Sequence, residues 1–156
     1  MNISREKEIS TQPAVPKNWD SQTTFSSDEV IDAYYKGVDD GKNSIITALK
    51  KQLDNNIGLA AKYAVQLYAK SKRSDIDLKG IYLKIEDIAR FSALFIVDKD
   101  TFISDGFLRV YAIAENLRHE AEEDLDLNFS FLPDTGEING SLLSSDGYYL
   151  KYKDGK

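Results

Sequence analysis

The sequence predicts an α+β fold. An extended N-terminal arm over residues 1–25 leads into a helical hairpin over 26–73. A small mixed or antiparallel sheet with one covering helix follows over 74–156, in β-α-β-β order. Three observations lead there. Apolar residues recur at steps of three and four between Val30 and Tyr68, the spacing of helical faces. A continuous apolar run at 93–97 (ALFIV) reads as a central strand buried on both faces, and a further helical period follows it. Short alternating runs separated by turn residues fill the C-terminal part.

Taken in order, the arm is polar and lacks apolar periodicity, and Pro13 and Pro16 favour extended backbone. It nonetheless holds the only tryptophan, Trp19, with Val15 and Phe25 nearby. Ser26-Ser27-Asp28-Glu29 fits a capping box, and Phe25 and Val30 are spaced for a hydrophobic staple across it. Tyr34, Val38, Gly41, Ile45, Ala48 or Leu49, and Leu53 continue one helical face. Gly37 and Gly41 weaken that helix by about 1 kcal/mol each relative to alanine. Asp54-Asn55-Asn56 reads as a helix end or turn. A second helix then carries Leu59, Ala60, Tyr63, Ala64, Leu67 and Tyr68, apolar nearly all round. The two make a hairpin, or one long helix broken at the asparagines. Lys70, Lys72 and Arg73 suit its C-terminal dipole.

Beyond Ser74 a weak alternation at 81–85 predicts a short strand. The 93–97 run predicts the central one, ended by Asp98-Lys99-Asp100. A helix from Thr101 or Ser104 to Glu123 gathers Phe107, Val110, Tyr111, Ala114, Leu117 and Ala121 on one face. Leu127, Phe129 and Phe131 alternate as a strand, and Pro133-Asp134-Thr135-Gly136 is a turn. Two more strands are expected at 138–143 and 148–152, which extends the order to β-β-α-β-β-β.

With no cysteine, these 156 residues exclude disulfides, thiolate metal sites and a cysteine nucleophile. One histidine argues against a histidine-rich metal site. No stretch has the length and apolarity of a transmembrane helix, and the first residues lack the apolar core of a signal peptide. The expectation is synthesis in the cytoplasm and no membrane contact. The formal charge of −6 makes direct nucleic-acid binding unfavourable. That charge is unevenly spread. Residues 36–84 carry 10 basic and 5 acidic side chains, whereas 85–146 carry 4 basic and 14 acidic ones. Such a chain could associate with copies of itself, basic part to acidic part.

Motifs for chemistry are incomplete. Gly37-Val38-Asp39-Asp40-Gly41-Lys42-Asn43-Ser44 is one residue short of a phosphate-binding loop, with asparagine where the hydroxyl belongs. Asp98 and Asp100 at a strand's C-terminal end could hold Mg²⁺ or act as nucleophile and acid. The spacing is similar to that of haloacid-dehalogenase-type phosphotransferases, but Thr101 comes one position early and Phe102 stands where Thr or Val belongs. An EF-hand loop fails at Phe102 and Ile103. Helix capping by Asp98 or Asp100 is the simpler expectation. His119 has no sequence-evident nucleophile or acid partner. No cofactor is implied.

Surface features point to binding instead. Glu120, Glu122, Glu123, Asp124 and Asp126 cluster at a helix C-terminus, where the dipole disfavours anions, so helix stability does not explain them. They are a candidate docking patch for a basic partner or a cation, with a solvated face that aids solubility as the simpler reading. Trp19 and Phe25 are candidate anchors of the arm on a partner or sister subunit, with folding back on its own domain as the alternative. Tyr148, Tyr149 and Tyr152 cannot all face one core, which leaves Tyr148 a candidate interface residue. Finally, Ala33-Tyr34-Tyr35-Lys36-Gly37 with Asp40-Gly41, inside a capped helix with a lysine-containing continuation, resembles small structural or assembly proteins of tailed bacteriophages and mobile elements. The resemblance covers about one fifth of the chain and implies a virion or assembly component. The expectation is thus a structural or assembly protein, not an enzyme, whose partners are other protein subunits or itself. The alternatives are an acidic inhibitor or decoy and a small Mg²⁺-dependent enzyme using Asp98 and Asp100.

Overall fold

The computed structural model describes residues 15–22, 31 and 43–153. The capping box at Ser26, Phe25, Gly37 and Gly41, and the residues that carry the phage resemblance lie outside these.

Helix α1 (Asn43–Arg73) runs unbroken for 31 residues. Leu53, Ile57, Ala60, Ala61, Ala64 and Leu67 form its buried stripe. The break expected at Asp54-Asn55-Asn56 does not occur. Asparagine in a helix costs well under 1 kcal/mol, and packing overrides it, since Leu53 and Ile57 on either side are fully buried. Asn56 itself points inward, where its Nδ2 donates to the carbonyl of Ile88 at 2.9 Å. The expected hairpin is therefore one rod over residues 43–73. It ends in a Schellman turn: Ile76 N–H bonds back to Ser71 O and Asp75 N–H to Lys72 O. Asp75 takes the left-handed position with φ 65°.

Strands β2 (Leu78–Asp87) and β3 (Arg90–Asp98) make an antiparallel hairpin. In β2 a bulge lies between Leu78 and Gly80. The extra residue, Lys79, shifts the alternation by one, so Leu78 shares a face with Ile81, Leu83 and Ile85. The 93–97 run of β3 is buried, as expected, and Phe91 and Ser92 are buried with it. The long helix expected next comes in three pieces: α2 (Lys99–Phe102), a 3-10 turn (Asp105–Phe107) and α3 (Leu108–Ala121). The interruption falls at Ile103-Ser104, where Ser104 Oγ donates to Thr101 O at 2.7 Å and competes with helical bonding. Strand β4 (Asp126–Asp134) returns parallel to β3, so β3-α3-β4 is a parallel crossover unit.

The strand expected at 138–143 does not form, and residues 140–145 are helical instead. Asn139 Oδ1 accepts from Ser141 N and Leu142 N, and this cap starts α4 (Gly140–Ser145). Strand β5 (Leu150–Tyr152) then pairs with β2 and, on its other side, with β1 (Trp19–Ser21) from the arm. The five-stranded mixed sheet has the order β1-β5-β2-β3-β4. The class is α+β, as expected; the strand order differs because the arm supplies one strand and α4 replaces another.

Helices α1 and α3, the long ones among the described residues, cover one face. Their apolar stripes and the inward residues of all five strands form a single core that includes Phe91, Phe95, Phe107 and Leu117. The opposite face carries a smaller cluster, Tyr82, Leu94 and Ile96, beneath Leu143 of α4, with Tyr148 packed against it.

Candidate functional site

Two surfaces combine concavity with chemistry. The first lies along β4, which among the described residues is the terminal strand of the sheet, beside β3. Asp126 N–H donates to Ala89 O on the β3 side. By alternation the main-chain groups of Asn128, Ser130 and Leu132 also point toward β3. Those of Leu127, Phe129 and Phe131 point outward. Pro133 sits in the same outward phase, where its missing N–H breaks no internal bond, as expected of an edge strand. The side chains of Phe129 and Phe131 lie under α3 and are only half-buried. Phe131 stacks on Phe95 (centroids 5.5 Å apart) and meets Phe107 and Tyr111 edge-on, each at 5.3 Å. Tyr111 keeps 45% of its surface exposed. A groove of about 230 Å³ runs between α3 and β4, floored by Phe129, Phe131 and Ala114.

Charges rim this groove. Arg118 binds Glu115 through two bonds, 2.6 and 3.3 Å. That hydrogen bond holds the Glu115 carboxyl below the usual carboxylate range and raises Arg118 further. His119 Nδ1 lies 3.0 Å from Glu122 Oε1, so the lone histidine is a surface helix residue among carboxylates. At the start of β4, Asp126 pairs with Arg90 at 3.2 Å; at its end, Asp134 pairs with Lys79 at 2.9 Å. The Lys79 ammonium, and next the Gly136 N–H, lower the Asp134 carboxyl. The bulge that displaces Lys79 from the β2 alternation therefore accompanies a neutralised strand end.

The candidate residues are distributed as follows. Glu120, Glu122, Glu123 and Asp124 are all exposed around the C-terminal end of α3, just before β4. Trp19 is not a free anchor: it is 6% exposed, part of the main core, with its ring 5.4 Å from that of Tyr152. The physical reason is pairing within the chain, because β1 completes the edge of β5 and swings the indole inward. Phe25 lies outside the described residues. Tyr148 is half-buried on the opposite sheet face, with Lys84 Nζ 5.7 Å from its ring centre. Burial, then Glu86 and Asp146, raise its phenol above the ordinary tyrosine value. Tyr148 and the acidic cluster do not share a surface. Sequence reasoning placed Phe129 and Phe131 only on an alternating strand and Tyr111 on the apolar face of a helix, and so missed that the strand is an edge and that Tyr111 is half-exposed. Pro133 at the strand end was the available sign of an edge.

The second surface is a polar cleft of about 430 Å³ at the carboxyl end of β3, lined by Asp75, Asp100, Thr101, Ser104 and Arg109 among others. Asp98 is not part of it. Its Oδ2 accepts from Asp100 N at 3.2 Å and caps α2, whereas Asp100 lines the cleft. Among the described residues, no group of three or more His, Asp or Glu could hold a metal ion. No helix among them is long and apolar enough to cross a membrane.

No family of proteins, no curated protein and no solved structure matches this chain.

Proposed function

We propose that the chain is a structural or assembly protein whose docking surface is the β4 edge and the groove beside it. One observation carries this reading. A nine-residue terminal strand turns the main-chain groups of Leu127, Phe129 and Phe131 outward, next to a half-exposed aromatic row. An extended segment can add to such an edge by main-chain hydrogen bonds while the adjacent groove takes alternate side chains. The chain then holds subunits together rather than catalysing a reaction. The resemblance of residues 33–41 to tailed-phage proteins supports a virion or assembly setting.

The decoy reading has less support. A nucleic-acid mimic needs free carboxylates along one face, whereas Glu115, Asp126 and Asp134 have arginine or lysine partners in their own chain. The Mg²⁺-enzyme reading is weakened by the separate roles of Asp98 and Asp100.

The test is site-specific photocrosslinking in cells. A benzophenone amino acid at Ser130, on the edge strand, is expected to give polypeptide adducts. The same group at Asp146, exposed at the end of α4 on the opposite side of the sheet, is expected to give none. Equal yields at both positions, or no adduct from position 130, would overturn the proposal.

A further inference from the structure

We infer that the segment added to the β4 edge is β4 of a second copy, paired antiparallel about a two-fold axis at Ser130, so that two sheets join into one of ten strands. This rests on the docking reading above and names its partner.

The strand is self-complementary in this arrangement. Full overlap of the nine residues of β4 sets Asp126 opposite Asp134 of the other copy and Ser130 opposite itself. Phe129 then faces Phe131 of the other copy, and Leu127 faces Pro133, all on the helix-covered side. Aromatic pairs are favourable at directly opposed positions. The outward main-chain groups of Phe129 and Phe131 become hydrogen-bonded pairs. Leu127 N–H can give one more bond to the Pro133 carbonyl, and proline, with no N–H, ends the ladder there.

Charge does not oppose the pairing at the strand itself. Natural edges are commonly protected by lysines or inward-pointing charges. Here the charged residues of β4 are only its two ends. Asp126 is matched by Arg90 and Asp134 by Lys79 within each copy, so the opposed carboxylates meet as neutralised pairs. The surface alongside is apolar where the second copy would pass: Tyr111 is 45% exposed and Leu108, one helical turn away, 69%. An interface with one continuous sheet and the same patch on both subunits is the isologous geometry of a two-fold dimer.

The absence of native cysteine makes a direct experiment possible. At a non-hydrogen-bonded antiparallel pair the Cα atoms lie about 4.5 Å apart, within disulfide range. Purified Ser130→Cys is expected to form a disulfide-linked dimer under mild oxidation. Asn128→Cys, whose own copy is displaced by four residues in this register, is expected to stay monomeric on a non-reducing gel. Ser130→Lys sets two ammonium groups across the axis at an exposed position. It should keep the wild-type circular dichroism spectrum and lose at least tenfold in self-association by sedimentation. Equal crosslinking of the two cysteine variants would overturn the register and the axis. A wild-type chain that sediments as a monomer throughout, while position 130 crosslinks to a different polypeptide in cells, would overturn the second copy and leave the docking reading standing. Failure of position 130 to crosslink to any polypeptide would remove both.

Discussion

Asp75 shows how a single residue sets the end of an element. It occupies the left-handed position of the Schellman turn, φ 65°, where glycine carries no Cβ penalty. Aspartate tolerates that conformation better than most residues but not freely. Asp75→Gly is therefore expected to raise stability by about 0.5 to 1 kcal/mol, read as a higher denaturation midpoint with an unchanged slope. A second residue-scale expectation concerns pH. The Lys79 ammonium and the Gly136 N–H hold the Asp134 carboxyl below its ordinary value of about 3.9. A carboxyl depressed in the folded state adds stability that is complete above the unfolded value and is lost as pH falls through the folded one. Asp134→Asn should thus melt below wild type at pH 7, and the difference should vanish once pH drops below both values. A difference that persists unchanged at pH 2 would remove the Lys79–Asp134 pair as its cause.

At the scale of elements, tertiary partners decided what local pattern could not. Asn56 is the clearest case. Read alone, Asp54-Asn55-Asn56 is a turn; in the fold, the Asn56 amide satisfies the carbonyl of Ile88, 32 residues away, and the helix continues. Asn56→Ala leaves that buried carbonyl unpaired and is expected to cost about 1 to 3 kcal/mol, while Asn55→Ala, at an exposed site, should be neutral or slightly stabilising. Equal effects of the two substitutions would show that the Ile88 bond contributes nothing. The elements legible in the sequence were those with long, strong periods: the C-terminal part of α1, the 93–97 run of β3 and the apolar stripe of α3 apart from Tyr111. The misread ones were short. Ile138 to Leu143 alternates like a strand, but Asn139 caps the helix that begins at Gly140. The three-residue strand at Trp19 has no pattern of its own and exists because β5 offers it a partner. The candidate site was the least legible part. Phe129 and Phe131 look like core residues in any one-dimensional reading. Only the sheet order, which leaves β4 terminal, turns their main-chain groups outward.

Over the whole molecule, the uneven charge offers two modes of self-association with opposite responses to salt. Lys51, Lys62, Lys70, Lys72 and Arg73 lie on the exposed side of α1, and Glu120, Glu122, Glu123 and Asp124 on the exposed end of α3. Head-to-tail contact between these two surfaces gains from attraction, so added salt weakens it. Edge pairing through β4 works differently. Its attraction is main-chain bonding and aromatic contact, and its two partners each carry a net charge of −6. The antiparallel register also brings the acidic end of each α3 toward strand ends that carry Asp98, Asp100 and Glu137. Long-range repulsion then opposes association, and screening relieves it. The Debye length falls from about 10 Å at 0.1 M to about 3 Å at 1 M, short enough to hide surface charges from one another. Sedimentation at a fixed protein concentration should therefore show the dimer fraction rising between 0.05 and about 0.5 M KCl. A falling fraction would favour the head-to-tail mode and count against the two-fold axis at Ser130, whatever the affinity measured at any single salt concentration.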